Sequence, residues 1–284
     1  ELIAILFAPA PQRYAAVFPS RSPYRGLHAF QEADADLFFG RDAEIGRLIE
    51  AVHAKGVVAL LGASGMGKSS LIYAGVLPRL RREAEWRMIS FRPGDNPFAA
   101  ASAECIRLLE PNAPEIEKIQ QASTLAERLR AGTTRLLDVL QGIAAKYVPA
   151  RVLLILDQFE ELYTLCRDDE ARRLFLESLL SVAQPSRFSA ACLLTMRADF
   201  LGKALSYPAF ADLAQDRSIW LGAMGRNELR DMIEKPARAY GVMFEERLTE
   251  RILDAVGHHP GNLPLLEFAL TEMWQQQADL SANQ

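Results

Sequence analysis

The sequence is poor in residues that staple or metallate a fold. Only three cysteines, Cys105, Cys166 and Cys192, occur in 284 residues, and no two form a C-x-x-C pair. That speaks against a disulfide framework or a zinc knuckle and fits a reducing compartment, so a cytoplasmic location is the expectation. There are four histidines, and the adjacent His258-His259 cannot share a helix face. They read as loop residues rather than a metal or catalytic site. No apolar run approaches the ~20 residues that span a bilayer, so no membrane segment is expected. The opening stretch Glu1-Leu2-Ile3-Ala4-Ile5-Leu6-Phe7 is apolar. It lacks a basic flank and is short for a signal peptide, so it reads as a strand or the tail of something upstream. Positive charge is not in surplus: 32 Lys and Arg face 36 Asp and Glu, a net charge of −4. Nucleic acid is therefore not an expected partner. The tetrapeptide Asn-Lys-x-Asp, which would read guanine, is missing, and this favours ATP over GTP.

What is present is ordinary in bulk and specific in one place. Hydrophobic residues make up 50 % and charged residues 24 %, as in a soluble globular protein. The length allows a large core and a smaller satellite. The specific place is Gly62-Ala63-Ser64-Gly65-Met66-Gly67-Lys68-Ser69-Ser70, which matches G-x-x-x-x-G-K-[ST]. An apolar, β-rich run, Val57-Val58-Ala59-Leu60-Leu61, precedes it, and Leu71 to Leu77 can continue a helix. Strand, glycine-rich loop and helix are the setting of a phosphate-binding loop, in which backbone N–H groups wrap a polyphosphate. Gly62, Ser64, Gly65, Met66, Gly67, Lys68, Ser69 and Ser70 are thus candidate nucleotide-binding residues. Lys68 would reach the β- and γ-phosphates, and the Ser69 hydroxyl would bind Mg²⁺.

The rest of the chain supplies a parallel sheet. Residues 8–26 hold Pro9, Pro11, Pro19, Pro23 and Gly26 and read as a linker or wrapping arm. Glu44, Ile45, Leu48, Ile49 and Val52 fall at helical spacing, and Trp86 to Phe91 reads as a strand. Residues 98–147 suit two or three amphipathic helices. Val152 to Leu156 and Ala190 to Thr195 are continuous apolar runs, as strands buried on both faces should be. Ala171 to Val182 reads as helix, and Ser218 to Leu221 as an edge strand. From about residue 226 no strand is needed. Glu228 to Tyr240 reads as a helix interrupted near Pro236, Glu246 to Val256 as helix, and Leu263 to Gln277 as a helix with an apolar face. Strands alternating with helices give a three-layer α/β/α sandwich with a mainly parallel sheet, followed by an all-helical lid. The expected division is an unassigned arm over 1–22, an α/β core over 23–225 and the lid over 226–284.

A phosphate loop binds but does not by itself hydrolyse. The run Val152–Leu156 ends in Asp157-Gln158-Phe159-Glu160-Glu161. Asp157 stands where a Walker-B aspartate holds Mg²⁺, and either Glu160 or Glu161 would polarise the attacking water. These two glutamates also suit the start of a solvated helix. Arg197 follows the strand Ala190–Thr195. Ligands of open α/β sheets bind at the carboxyl ends of strands, so Arg197 would reach a γ-phosphate and sense it. A structural ion pair is the plainer alternative for it.

Taken together these segments resemble the bacterial novel STAND NTPases, a class of signalling ATPases related to AAA+ proteins. Within the P-loop proteins they are similar to the additional-strand, catalytic-glutamate branch. The likeness runs from about Pro23 to Trp274. It rests on Pro23-Tyr24-Arg25-Gly26-Leu27, Phe38-Phe39-Gly40-Arg41, the phosphate loop, Asp157 to Glu161, Arg197-Ala198-Asp199-Phe200-Leu201 and Gly261-Asn262-Leu263-Pro264-Leu265-Leu266. The resemblance implies that Gly40 and Arg41 lie near the base and ribose. It also implies that Pro264 packs on the nucleotide and reports its state. It implies a switch, at rest with ADP and oligomeric with ATP, that hydrolyses slowly. Fused effector and sensor regions, often WD-type repeats, are expected outside this chain, which reads as a piece of a longer polypeptide. A continuously cycling AAA+-type machine such as a DNA loader, and a nucleotide-binding scaffold without turnover, are the rival readings.

Overall fold

The computed structural model describes residues 19, 21–83, 86–182, 190–245, 247–257 and 261–282. The segment Glu1–Phe7, most of the proline-rich arm, Glu246 and His258-His259 lie outside the described residues. Among the described residues five strands form a parallel sheet in the order β2-β3-β4-β1-β5. They are β1 (Val57–Gly62), β2 (Trp86–Phe91), β3 (Arg151–Leu156), β4 (Ala190–Arg197) and β5 (Ser218–Trp220). β4 thus separates β1 from β3, while β2 and β5 occupy the edges.

The chain divides into two compact units. One holds Gly46–Gly62 and Arg79–Trp220, and so the whole sheet. Alternate residues of its central strands point to opposite faces. On one face Val57, Ala59, Leu61, Val152, Leu154, Leu156, Cys192, Leu194 and Met196 join a core with Phe98, Leu140, Ile143 and Phe175. These last come from the helices Pro97–Leu109, Leu136–Lys146 and Asp169–Val182. On the other face Val58, Leu60, Leu153, Ile155 and Leu193 are equally buried. Apolar residues on both faces are what an interior strand of a three-layer α/β fold requires. The edge strand β5 is short and half-exposed.

The other unit contains the described residues up to Ile45, Ala63–Pro78 and the chain from Leu221. Its helices Arg226–Ala239, Leu248–Val256 and Asn262–Ala282 bury Leu229, Ile233, Ile252, Leu253, Leu266, Leu270 and Trp274. Tyr24 enters the same core. Its hydroxyl donates to the Ile233 carbonyl at 2.5 Å and its ring meets Trp274 edge-on. The Arg25 N–H donates to Glu267 Oε2 at 3.1 Å, and Trp274 Nε1 donates to the Pro19 carbonyl at 2.9 Å. The end of the arm is therefore built into the helical core.

Two expectations differ from the structure. Arg226–Ala239 runs unbroken through Pro236, because Pro236 sits buried beside Ile233 and Ala237 and packing there offsets the lost hydrogen bond. The last helix extends to Ala282 rather than Gln277. Among the described residues no helix is long and apolar enough to cross a membrane.

Candidate functional site

The carboxyl ends of the parallel strands share one edge of the sheet. Gly62 of β1 stands opposite Arg197 of β4, and Leu156 of β3 opposite Leu194. Asp157 leaves β3 at that edge, and the phosphate loop leaves β1 there.

Asp157 is buried, and its carboxylate is held by a neighbouring strand. The Thr195 hydroxyl donates to Asp157 Oδ1 at 2.8 Å and accepts the Gln158 N–H at 2.8 Å. The Phe159 N–H donates to the Thr195 carbonyl at 2.8 Å. Arg92, at the end of β2, places Nη2 3.9 Å from Asp157 Oδ2. Gln158 itself adopts φ +56°, a left-handed conformation that costs a non-glycine residue about 1–2 kcal/mol. Its amide, oriented with nitrogen toward Glu161 Oε1 and oxygen toward Arg92 Nη2, satisfies both ends.

The two glutamates point to opposite neighbours of β3. Glu160 Oε2 accepts the Arg197 N–H at 3.1 Å, on the β4 side and thus toward β1. Glu161 Oε2 accepts the Gly94 N–H at 3.2 Å, in the turn after β2 and away from β1. Glu161 opens a single helical turn, Glu161–Thr164. The Arg197 side chain is paired with Asp199, Nη2 to Oδ2 at 2.7 Å and Nε to Oδ1 at 3.1 Å, and lies over the Phe200 ring.

The phosphate loop has its own neighbours in the helical unit. Gly65 has φ +77°, and a Cβ there would meet Pro264 Cγ at 3.1 Å; a Cβ at Gly67 would meet Leu263 Cδ2 at 3.6 Å. Pro264 and Leu263 open the helix Asn262–Ala282 and so lie against the loop. Lys68 Nζ donates to the Ala63 carbonyl at 2.9 Å. Ser70 Oγ is buried and accepts the Phe30 N–H at 3.1 Å. After Lys68–Ser70 the helix widens into a π-type stretch, Leu71–Val76, a feature that often accompanies functional sites.

Arg41 is buried beneath the loop. Nη2 donates to the Gly222 carbonyl at 3.1 Å and reaches the Met66 carbonyl at 3.5 Å. Nη1 makes no hydrogen bond and lies 3.8 Å from Glu44 Oε1. Burial draws the guanidinium below the usual arginine range, opposed by Glu44 and Glu228. Gly40, before it, has φ +84°, and a Cβ there would fall 2.4 Å from the Glu228 carbonyl.

Thr195 and Arg92 escaped the sequence reading. A hydroxyl in the otherwise apolar run of β4 was the available signal, since a buried hydroxyl needs a partner. Burial lifts the thiols of Cys105 and Cys192 to about 12, so they are inert packing groups. Among the described residues no three His, Cys, Asp or Glu side chains converge as a metal cage. A buried carboxylate at the sheet edge and a loop hydroxyl are instead the donor chemistry of Mg²⁺, which is held by few protein oxygens together with phosphate oxygens.

The model of the family nSTAND1, Novel STAND NTPase 1, matches residues 23–284. No curated protein matches significantly by sequence. Among solved structures, the Walker-type ATPase PABY2304 of Pyrococcus abyssi is similar at TM-score 0.53 and 15 % identity, covering 94 % of this chain and 78 % of that one. Cdc6p from Pyrobaculum aerophilum is similar at 0.52 and 16 %, covering 99 % and 66 %. The Aeropyrum pernix ORC2 protein, in ADPNP-ADP complexes, is similar at 0.50 and 15 %, covering 85 % and 67 %. At these identities the likeness is one of fold.

Proposed function

Because the chain belongs to the novel STAND NTPases, a family of P-loop nucleotide-binding proteins, we propose that it is an ATP-operated conformational switch with slow hydrolysis. The observation that carries this reading is the seat of Leu263 and Pro264 on the loop glycines Gly65 and Gly67. The segment that would wrap the phosphates is the one against which the final helix begins. A change in that loop on exchange of ADP for ATP is thereby felt by the helical unit, which is what a two-state switch needs.

In this reading the loop N–H groups from Gly62 to Ser70 and the Lys68 ammonium hold the phosphates. Asp157 and the Ser69 hydroxyl hold Mg²⁺, which when bound neutralises charge on the β- and γ-phosphates. Thr195 keeps the Asp157 carboxylate in one orientation. Glu160, turned toward β4 and β1, polarises the attacking water; Glu161, turned toward Gly94, braces the turn after β2. Arg197 senses the γ-phosphate. Gly40 and Arg41 shape the base side of the site, and the Arg41 bonds tie the loop to Gly222. Effector and sensor regions outside this chain, and assembly of copies in the ATP state, complete the proposed cycle.

The test is the nucleotide that co-purifies with the protein. Near-stoichiometric ADP, absent from Lys68→Ala, is the expected result. Protein that emerges empty and turns ATP over steadily would overturn the switch in favour of a cycling machine, with DNA stimulation as the next assay.

A further inference from the structure

We propose that Asp199 sets how strongly Arg197 discriminates ATP from ADP, by holding its guanidinium aside until a γ-phosphate displaces it. The inference rests on the reading of Arg197 as the γ-phosphate sensor.

The backbone and side chain of Arg197 are held by different partners. Its N–H is fixed by Glu160, and its Cα stands in register with Gly62, from which the phosphate loop departs. Its guanidinium turns to a carboxylate two residues on, in the turn Ala198–Phe200, and forms two parallel bonds to it. A carboxylate and a terminal phosphate offer a guanidinium the same thing, paired anionic oxygens in a fork. One guanidinium edge cannot fork both. Asp199 takes the Nε–Nη2 edge, so the two partners compete for that edge, and the carboxylate lowers the apparent affinity for ATP while leaving little mark on ADP, which has no third phosphate.

Exposure makes this competition reversible. The side chains of Arg197 and Asp199 are 40 % and 55 % exposed. Exposed pairs shift an equilibrium by only about two- to fivefold. A multiply charged phosphate overcomes such a pair, whereas a buried pair would resist it. The stacking of the guanidinium on Phe200 gives the parked position a defined geometry.

The experiment measures ATP and ADP dissociation constants for the wild type, Asp199→Asn, Arg197→Ala and the double variant. The expected result is an ATP-over-ADP affinity ratio raised about two- to fivefold by Asp199→Asn, with no such rise in the Arg197→Ala background. Asp199→Ser should raise the ratio likewise. If Arg197→Ala lowers the ratio while both Asp199 variants keep the wild-type value, Arg197 is a sensor that Asp199 does not restrain, and the proposal is overturned. If Arg197→Ala leaves the ratio unchanged, the sensor reading itself fails and takes the proposal with it.

Discussion

The Thr195 hydroxyl donates to Asp157 Oδ1 and accepts the Gln158 N–H, both at 2.8 Å, so one oxygen fixes a buried carboxylate and the strained residue behind it. A hydrogen bond to a charged group contributes about 1.5–3 kcal/mol. Thr195→Val should lower stability by about 2 kcal/mol and raise the Mg²⁺ concentration for half-maximal ATP turnover about tenfold. Thr195→Ser should recover both. Urea denaturation and a Mg²⁺ titration read the two effects. A Thr195→Val variant with wild-type Mg²⁺ dependence would show that Asp157 needs no such support.

The opposite headings of Glu160 and Glu161 separate their variants. Glu160→Gln should still bind ATP but lose turnover by about 10²-fold or more, the usual worth of a general base. Glu161→Gln keeps an acceptor for the Gly94 N–H and should retain turnover within about threefold. Single-turnover hydrolysis with bound ATP measures both. The reverse order of effects would transfer the role to Glu161.

Gly40 cannot carry a side chain without a collision. Its φ of +84° disfavours an L residue, and the Cβ would strike a backbone carbonyl rather than a yielding side chain. Gly40→Ala should cost about 2 kcal/mol or more of stability and loosen the first turn of Arg226–Ala239. Hydrogen exchange at Leu229, whose N–H is bonded to the Gly225 carbonyl, reports that loosening.

Glu267 makes stability depend on pH in an unusual direction. Burial lifts its carboxyl from 4.5 to about 7, against a smaller pull downward from the Arg25 N–H. The folded state holds this proton more tightly than the unfolded chain. Its contribution is whole below pH 4.5 and is lost as pH rises through 7, a change of about 3 kcal/mol. Glu267→Gln keeps the acceptor and removes the charge. The variant should be more stable than the wild type by about 3 kcal/mol at pH 8 and equal to it near pH 4. Urea denaturation at the two pH values reads the difference; equal stabilities at pH 8 would mean that Glu267 is accommodated as a charge.

The strands β1, β3 and β4 were legible because each is an apolar run flanked by turn residues, and the phosphate loop and Asp157 because they attach to such runs. What escaped depends on neighbours distant in sequence. Pro236 signals a break locally, and only the core around Ile233 and Ala237 overrides it. Thr195 finds its partner across the sheet. Glu160 and Glu161 are adjacent and alike, so only the strand order, with β4 on one side and β2 on the other, tells them apart. The resemblance places Arg41 near the base and ribose, but its burial and its bonds to the Met66 and Gly222 carbonyls have no local sequence signal. The compact units also group Ala63–Pro78 with the helices from Leu221, a grouping that no local composition announces.

The seat of Pro264 on Gly65 has a mechanical consequence. The helix that begins there has 21 residues and is thus ~30 Å long. In the proposed switch it would act as a lever with its fulcrum at the phosphate loop. A tilt of roughly 5° about Pro264 carries its far end through about 3 Å, given the ~1.5 Å rise per residue. Gly65 and Gly67 leave no side chain to cushion a movement of the loop against Leu263 and Pro264. In the proposed switch, gearing of this kind would turn the presence of one phosphate into a displacement large enough to make or break a protein contact.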